Sequence, residues 1–485
     1  MKFIKKYTEI FLPFIFVFLA SLFRPNDTDL GWHLKYGEYF FKNQEILREN
    51  IFSTMMPNYK WPNTDWGIDI ITYLTYNNFG FLGLTLLGAL VITLTFLFFS
   101  KAFKLDFFEK ALIFPFIAYI EIPLNQLSFR GQLVSIFFLG ILFYLIEKYD
   151  LGREKIIYFV IPLFLLWANL NGQFILGLVL FAIWIFLYLI FLFFKEEEKI
   201  FVLKSKIKTL GFVFILTIFA TLINPFGFDI YKVVFSHFGS ENLKSIAEYL
   251  PFKESTALWW NQLIVGVLIG VGFMFIFFNG EIKKKFPMFS ILGILYVLSW
   301  MVKRYAWSFY YLAIPFLKPL VYFVKPDSKK YTFITATFLF VIYICVIIII
   351  KVPLTQYKDM SWDIYCKEYI NCSPKAAEFI IENQLNKNDL MTVYDFGGWL
   401  IWNYPQLKPS IDGRMHMWID NKGYSAFSDY YGYEQNLKDI NDSKYNTVFM
   451  ARSKPLYDTL INEVKKGRWQ LAYQDNVSGV FIRTK

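Results

Sequence analysis

The segment from Ile156 to Phe194 contains no charged residue, and it constrains the fold more than any other feature of the chain. A helix that crosses a bilayer needs about 17–25 apolar residues, so this segment is too long for one crossing. Polar residues at 168–173 interrupt it and predict a tight hairpin between two spans. The chain is 56% hydrophobic and only 18% charged, whereas soluble proteins carry about 25% charged residues. We therefore expect a polytopic membrane protein.

Apolar runs recur along the first 350 residues and predict about eleven membrane-spanning helices. The runs lie at 8–23, 81–100, 111–123, 132–146, 156–170, 174–194, 209–224, 259–278, 287–301, 307–323 and 332–350. This pattern predicts an all-α polytopic membrane bundle over residues 1–350, with a long first outer loop at 24–80.

The distribution of Lys and Arg predicts the orientation. With the N-terminus in the cytoplasm, the alternating inner segments hold 20 Lys and Arg in 56 residues, whereas the outer loops hold 11 in 114. Cytoplasmic loops carry such an excess, so we expect a plasma-membrane protein with its N-terminus inside. The inner segments are 1–7, 101–110, 147–155, 195–208, 279–286 and 324–331. Their basic residues exceed their acidic ones by ten, which equals the formal net charge of the whole chain and excludes a nucleic-acid patch.

Residues 351–485 differ in composition, with 17 Lys and Arg against 16 Asp and Glu and no spanning run. Short apolar pieces typical of strands alternate with helical patterns there, which predicts a small extracytoplasmic α/β domain. The strand-like pieces are 390–394, 446–451 and 479–483, and the helical patterns are 374–384 and 455–466. Cys366 and Cys372 would lie in an oxidising compartment and form either a small disulfide loop or two unpaired thiols.

Acidic residues gather in the first outer loop. Asp27 and Asp29 follow the first span, with His33 four residues after Asp29, and Asp65 and Asp69 show the same spacing at the start of a predicted helix at 66–78. These carboxylates could simply cap helices. Two of them one residue apart at a membrane boundary exceed what capping requires, and ionisable groups there tend to mark chemistry. A carboxylate can act as general base on an acceptor hydroxyl.

Cations and amides occupy the other predicted outer loops. Arg130 precedes one span, Asn171 lies in the hairpin, and Lys303 and Arg304 lie between the ninth and tenth spans. Arg and Lys suit phosphate contacts, although each alone could be an interfacial anchor. No His/Cys spacing typical of zinc and no nucleotide-binding motif occurs. The Asp27 and Asp29 pair could hold Mg²⁺ or Mn²⁺, but we predict no cofactor.

The layout resembles the GT-C glycosyltransferases, polytopic membrane enzymes with an acidic motif after the first span and a long first outer loop. It is similar in particular to a group of mostly uncharacterised bacterial relatives of these enzymes. The motifs that carry this resemblance are Asp29-Leu30-Gly31-Trp32-His33-Leu34, Trp167-Ala168-Asn169-Leu170-Asn171-Gly172, Asn224-Pro225-Phe226-Gly227, Tyr394-Asp395-Phe396-Gly397-Gly398-Trp399 and Ile411-Asp412-Gly413-Arg414.

A fainter likeness is to the catalytic subunit of oligosaccharyltransferase, although the segment at 393–397 lacks both tryptophans of that subunit's motif. The GT-C resemblance implies a polyprenyl-phosphate sugar as donor, with Asp29 or Asp27 as the catalytic carboxylate. By its position alone, Arg304 would hold the donor phosphate.

We therefore expect an integral membrane enzyme that transfers a sugar to a glycan, lipid or protein acceptor on the extracytoplasmic side. Further candidate substrate-binding residues are Lys303, Arg130, His33, Asp65, Asp69, Asn171, Asp412 and Arg414. The alternative is a transporter or flippase of a lipid-linked glycan without transferase chemistry. That alternative predicts internal repeats and ionisable groups at mid-span, whereas we find no repeat and, apart from Glu9 and Lys318, almost no charge in the spans.

Overall fold

The computed structural model describes residues 2–124, 128–193, 200–237, 239–280, 282–350 and 360–484. These residues are mostly helical and form two compact units. Unit 1 consists of Met1–Arg24, Thr85–Phe228 and Ile246–Leu354, and unit 2 of Pro25–Leu84, Asp229–Ser245 and Thr355–Lys485. The first outer loop thus belongs to the same compact unit as the C-terminal residues. The predicted division at residue 350 instead places this loop with the helices of residues 1–350.

Unit 1 consists of helices, as expected where backbone groups must find their hydrogen bonds within one segment. Its helices are Lys2–Ala20, most of 81–102, Phe107–Glu121, Gln132–Asp150, Val160–Leu170, Phe174–Phe193, Ile200–Thr221, Ala257–Phe278, Ile282–Met301, Ala306–Leu312, Ile314–Val321 and Lys329–Ile350. Short helical turns at Ile122–Leu124, Glu154–Phe159, Ala247–Tyr249 and Lys303–Tyr305 join them.

Five helices among the described residues are long and apolar enough to cross a membrane, which is compatible with a membrane protein. They are Trp66–Ala102, Gln132–Asp150, Phe174–Phe193, Ala257–Phe278 and Lys329–Ile350. The other predicted spans are also helical, but their helices are shorter or less apolar. The predicted count of about eleven spans is therefore not confirmed by this criterion.

The helical segment Trp66–Ala102 consists of two helices. Gly80 separates them with φ 59° and ψ −154°, a conformation that glycine adopts without a steric penalty. The first part, 66–79, confirms the helix predicted in the outer loop and carries Asp69. The second part, 81–102, contains the predicted apolar span at 81–100. One glycine thus separates the loop helix from the apolar helix.

Unit 2 combines helices with one four-stranded sheet. Its helices are Leu30–Asn43, 66–79, Asp229–Ser236, Trp362–Tyr365, Pro374–Glu382, Gly397–Asn403, Ala426–Glu434 and Pro455–Lys465. A π-helical turn at Cys366–Ile370 and several short 3₁₀ turns complete it. The strands are β1 (Leu390–Met391), β2 (Thr447–Ala451), β3 (Trp469–Gln474) and β4 (Ser478–Arg483), in the order β1-β2-β4-β3.

Strand β1 pairs parallel to β2, and the other two pairings are antiparallel. Strands β1, β2 and β4 and the helices after Pro374 and Pro455 confirm the predicted α/β pattern. Strand β3 was not predicted, because only its first residue is buried and its sequence carries no clear alternation.

Two glycines set the closest approach between the first loop and the C-terminal residues of unit 2. A Cβ atom on Gly31 would overlap the carbonyl group of Gly398, and one on Gly398 would overlap the carbonyl oxygen of Thr28. The helices Leu30–Asn43 and Gly397–Asn403 can therefore touch along their backbones only because both positions are glycine. Each glycine lies in a motif that carries the resemblance given above.

Cys366 and Cys372 form a disulfide, which resolves the alternative that the sequence left open. Cys345 is an exposed free cysteine near the end of the helix Lys329–Ile350.

We predict that alkylation of the denatured, unreduced protein modifies one cysteine, and that prior reduction raises the number to three. The reason is that a disulfide protects both of its sulfurs from the reagent. Intact-mass spectrometry of protein purified from its native membrane gives the count, with a Cys345→Ser variant as control. Modification of all three cysteines without reduction would contradict the pairing.

Candidate functional site

Unit 2 brings together seven of the eleven predicted site residues, from segments far apart in the sequence. They are Asp27, Asp29, His33, Asp65, Asp69, Asp412 and Arg414. Arg130, Asn171, Lys303 and Arg304 belong to unit 1. The residues of each unit are described in turn.

The imidazole of His33 is bound to the carboxylate of Asp69. His33 Nδ1 lies 2.5 Å from Asp69 Oδ1, and Asn63 donates to Asp69 Oδ2 at 2.7 Å. Asp69 is fully buried, while the His33 side chain keeps 15% of its surface exposed. Because Nδ1 is engaged, the carboxylate fixes the orientation of the ring and leaves the Nε2 edge as the part that can act on another group.

The electrostatics of this pair favour a charged histidine. Burial lowers the pKa of His33, but the charge and hydrogen bond of Asp69 outweigh that effect and raise the pKa to about 9. The charges of Asp27 and Asp29 contribute to the same rise. Burial also raises the pKa of Asp69, and His33, Asn63 and Arg414 oppose that rise. His33 is therefore a partly buried cation at neutral pH.

Asp27 and Asp29 have different roles at the start of the helix Leu30–Asn43. Asp27 Oδ1 accepts a hydrogen bond from the backbone N–H of Asp29 at 3.1 Å, and Tyr365 donates its hydroxyl to the carbonyl of Asp27. Asp29 occupies the N-cap position, but its side chain makes no capping hydrogen bond. The turn at 27–29 thus employs the carboxylate of Asp27, whereas the carboxylate of Asp29 does not cap its helix.

The carboxylate of Asp29 lies directly against Gly413. A Cβ atom at position 413 would overlap both carboxylate oxygens, so only glycine fits beside Asp29. The two motifs Asp29-Leu30-Gly31 and Asp412-Gly413-Arg414 are therefore adjacent, although several hundred residues separate them in the sequence.

Asp412 and Arg414 form a buried ion pair. Arg414 donates from Nε to Asp412 Oδ1 at 2.7 Å and from Nη2 to Oδ2 at 2.8 Å. Ser53 donates its hydroxyl to the same carboxylate, and Asn50 accepts from Arg414 Nη2 at 3.1 Å. Burial raises the pKa of Asp412, but the charge and hydrogen bonds of Arg414 outweigh it and hold the pKa below its usual value.

Four aromatic rings surround the guanidinium group of Arg414. Its central carbon lies 5.1 Å from the ring centre of Phe52, 5.2 Å from that of Trp61, 5.3 Å from that of Trp418 and 6.0 Å from that of Trp32. Cation–π attraction offsets part of the cost of removing the charge from water. With its side chain 1% exposed and paired, Arg414 is better suited to hold the fold than to bind substrate.

Asp65 precedes the helix at 66–79. Its backbone carbonyl accepts from the N–H of Asp69 at 3.0 Å, and its own N–H donates to Asn63 Oδ1 at 3.0 Å. Asn63 therefore contacts the carboxylate of Asp69 and the backbone N–H of Asp65. The backbone of Asp65 thus begins the helix, and its carboxylate accepts a long hydrogen bond from the hydroxyl of Thr64, at 3.4 Å.

In unit 1, Arg304 lies in the short turn Lys303–Tyr305, forms an ion pair with Glu248 and has its guanidinium carbon 5.0 Å from the ring centre of Tyr249. The backbone N–H of Lys303 donates to the carbonyl of Leu250 at 3.2 Å. The turns Ala247–Tyr249 and Lys303–Tyr305 thus contact each other. Lys303 and Arg304 both belong to the second of these turns.

Asn171 confirms the predicted hairpin. Its side-chain oxygen accepts from the N–H of Gln173 at 3.1 Å and from the hydroxyl of Ser135 at 2.7 Å. Trp167 donates to the same hydroxyl at 2.9 Å. Asn171 is 4% exposed, which favours a structural role in the turn. Arg130 precedes the helix Gln132–Asp150, and its carbonyl accepts from the N–H of Leu133 at 3.0 Å.

Asn50, Ser53 and Asn63 were not predicted as site residues. Their signal in the sequence is weak, because a polar residue in a long loop is ordinarily expected to face solvent. The structure buries all three, with exposed fractions of 1%, 5% and 2%. A buried amide or hydroxyl in a loop indicates that the loop has a partner, and the partners here are Asp412, Arg414 and Asp69.

Within the described part of the chain, no group of three or more His, Cys, Asp or Glu residues is arranged to hold a metal ion. The sequence matches no protein-family model, and no curated protein matches it.

Replacement of Asp412 with Asn is expected to destabilise the protein by about 3–5 kcal/mol at neutral pH, because Arg414 would keep a buried charge without a countercharge. The pKa of Asp412 lies below its usual 3.8. The difference in stability between wild type and Asp412→Asn should therefore be full above pH 3.8 and should decrease as the pH falls further. Melting temperatures of the purified protein, followed by tryptophan fluorescence, provide the test. Asp458→Asn, at an exposed position of the helix Pro455–Lys465, is the matched control. Equal melting temperatures for both variants would exclude a structural role for the ion pair.

Wild-type protein should lose stability as the pH rises from 6.5 to 9, and replacement of His33 with Gln should remove that part of the loss. Because the folded-state pKa of about 9 exceeds the usual 6.5, the contribution of protonated His33 is complete below pH 6.5 and disappears as the pH rises through 9. The difference in melting temperature between wild type and His33→Gln should therefore be large at pH 6 and small above pH 9. His237→Gln serves as control, and a difference that stays constant with pH would contradict the assigned charge.

Proposed function

We propose that this chain is an integral membrane glycosyltransferase. It would take a sugar from a polyprenyl-phosphate donor and transfer it to an acceptor hydroxyl on the extracytoplasmic side. The proposal includes the predicted topology, with about eleven spans, the N-terminus in the cytoplasm and the C-terminal residues outside. The observation that carries it is the grouping of Asp27, Asp29 and the His33–Asp69 pair in one compact unit.

In this proposal Asp29 is the general base. Its carboxylate lies outside the capping hydrogen bonds of its helix and close enough to His33 to raise the pKa of that residue. The attraction is mutual, so a cationic His33 supports a negative charge on the neighbouring carboxylates. A base must be ionised to accept a proton, and His33 therefore acts as a positioning residue for Asp29.

The reaction balances without a cofactor. The oxygen of the acceptor hydroxyl forms a bond to the anomeric carbon of the sugar, and its proton passes to Asp29. The bond from that carbon to the lipid phosphate breaks, and polyprenyl phosphate leaves with the electron pair. A fixed cation stabilises the charge that develops on the phosphate. Arg304 and Lys303 are the residues proposed for this role, with Arg130 as a further candidate.

The alternative of a transporter or flippase for a lipid-linked glycan makes a different prediction. It requires movement of the intact lipid-linked sugar across the bilayer and no cleavage of the sugar–phosphate bond. Recovery of the intact lipid-linked sugar on the opposite leaflet, with no transfer to an acceptor, would favour that alternative.

The double variant Asp27→Asn/Asp29→Asn should lower transfer at least about a hundredfold, because an amide cannot accept the proton. Asn retains the side-chain oxygen that accepts from the N–H at position 29, so the turn at 27–29 should persist. The measurement uses full-length protein in proteoliposomes with radiolabelled polyprenyl-phosphate hexoses and a membrane extract as acceptor.

Asp229→Asn is the matched control, because Asp229 belongs to unit 2 but is exposed and pairs only with the neighbouring Lys232 among the described residues. Equal folding of all three proteins is checked by melting temperature. Transfer that persists undiminished in the double variant would remove Asp27 and Asp29 from the mechanism. No transfer by the wild type from any polyprenyl-phosphate sugar would reject the proposed activity.

A further inference from the structure

Unit 1 contains a buried carboxyl group that the proposed mechanism does not use. Glu121 is the last residue of the helix Phe107–Glu121 and is 0% exposed. Among the described residues, neither of its carboxyl oxygens has a hydrogen-bond partner, and no charged group acts on it. A buried polar group without a partner costs free energy, and a buried charge without one costs far more.

Glu109 lies on the same helix and shows what a buried, ionised carboxylate requires. It is 3% exposed, but the ammonium of Lys318 lies 3.4 Å from its Oε2 atom. The backbone N–H of Asp106 donates to the same oxygen at 2.7 Å. Glu121 has neither kind of support within the part of the chain that the structure describes. Two carboxyl groups of similar burial on one helix therefore have opposite surroundings.

Two tyrosines belong to the surroundings of Glu121. Tyr310 and Tyr311 are both 0% exposed, and Glu121 acts electrostatically on both. Neither hydroxyl has a hydrogen-bond partner among the residues described. Both tyrosines lie in the helix Ala306–Leu312, which packs against the helix of Glu121. A phenol is uncharged at neutral pH, so these two residues supply no countercharge.

The charges on the other helices that pack against Phe107–Glu121 lie toward its opposite end. Lys318 is bound to Glu109, and Lys5 lies over an aromatic ring that itself contacts Phe107. A helix rises about 1.5 Å per residue, so Phe107 and Glu121 are about 20 Å apart. The remaining titratable residues described on these helices are Lys6, Tyr7, Glu9, Lys329, Lys330, Tyr331, Tyr343 and Cys345. None of them supplies a charge at Glu121.

The position of Glu121 at a helix C-terminus makes a negative charge still less favourable. The helix dipole places partial negative charge at this end, which repels a carboxylate. An ionised Glu121 would therefore combine burial, the lack of a countercharge and repulsion from its own helix. Ionisable groups in such places within membrane domains tend to have a function, because their cost in stability is otherwise unopposed.

We propose that Glu121 is a proton-binding site of unit 1. The carboxyl group holds its proton at neutral pH, and this neutral form lets the helix Ala306–Leu312 pack against it. When the proton passes to water at high pH, the O–H bond breaks and leaves a buried carboxylate, and the two helices separate to hydrate it. Because Ala306–Leu312 directly follows the turn Lys303–Tyr305, the bound proton also holds this turn in place. The proton site does not depend on the proposed sugar transfer.

Infrared spectroscopy of the full-length protein in an ester-free detergent tests the protonation directly. The difference spectrum between wild type and Glu121→Gln at pH 7 should contain the carbonyl band of one protonated carboxylic acid, and this band should shift in D₂O. Glu109→Gln is the matched control and should lose a carboxylate band instead, with Glu9→Gln as its replacement if that variant does not fold. Loss of a carboxylate band in Glu121→Gln, or no loss of an acid band, would overturn the proposal.

Thermal stability tests the coupling between the proton and the helix packing. The unfolded chain releases the proton near the ordinary Glu pKa of about 4.3, whereas the folded protein retains it. Wild type should therefore lose stability relative to Glu121→Gln as the pH rises, by up to about tenfold in the unfolding equilibrium constant per pH unit. Gln imitates the neutral form, and the pH dependence of all other groups is common to both proteins.

The melting temperature of Glu121→Gln should thus exceed that of the wild type by a small amount at pH 5 and by a large amount at pH 8. A difference that is the same at both pH values would indicate a packing role without a proton and would overturn the proposal. A lower melting temperature of Glu121→Gln at pH 8 would overturn it as well. Both measurements are independent of enzymatic activity, so failure of the proposed sugar transfer leaves them unaffected.

Discussion

Asp412 and Arg414 hold two opposite charges inside unit 2, where an unpaired charge would cost several kcal/mol. Two hydrogen bonds between their side chains offset this cost, together with contacts to Ser53 and Asn50 of the first loop and to the aromatic rings around the guanidinium. The same guanidinium opposes the rise in the pKa of Asp69. Ionic groups from both ends of the chain therefore depend on one another, and the first loop must fold together with the C-terminal residues.

This dependence explains which predictions from the sequence were successful. Apolar length and strand or helix periodicity are local properties, so they located the helix at 66, the hairpin at Asn171 and most of the C-terminal elements. A hydrogen bond between residues that are far apart in the sequence produces no local sequence pattern. His33 and Asp69 are 36 residues apart, and Ser53 and Asp412 are 359 apart. The sequence therefore showed that His33 lies four residues after Asp29, but it could not indicate that Asp69 holds the imidazole.

The glycines of the short motifs have a common physical explanation. At Gly31, Gly398 and Gly413 a Cβ atom would collide with a backbone carbonyl or with the carboxylate of Asp29. The sequence shows only that glycines follow or precede acidic and aromatic residues. Their purpose becomes visible once the segments are adjacent, because each glycine lets two of them approach more closely than any other residue would permit. The three motifs that contain these glycines are thus contacts within unit 2 and need not each bind a ligand.

The four aspartates of the first loop also differ in their hydrogen bonds. The carboxylate of Asp27 accepts from a backbone N–H of its own turn, that of Asp65 accepts from the hydroxyl of Thr64, and Asp69 is buried against His33 and Asn63. Asp29 occupies the N-cap position, but its side chain makes no capping hydrogen bond, and its carboxylate lies against Gly413. A helix N-terminus favours a nearby negative charge even without a capping hydrogen bond. With His33 one turn further along the helix, both the helix start and the imidazole, whose pKa Asp29 helps to raise, place positive potential beside the residue proposed above as the general base.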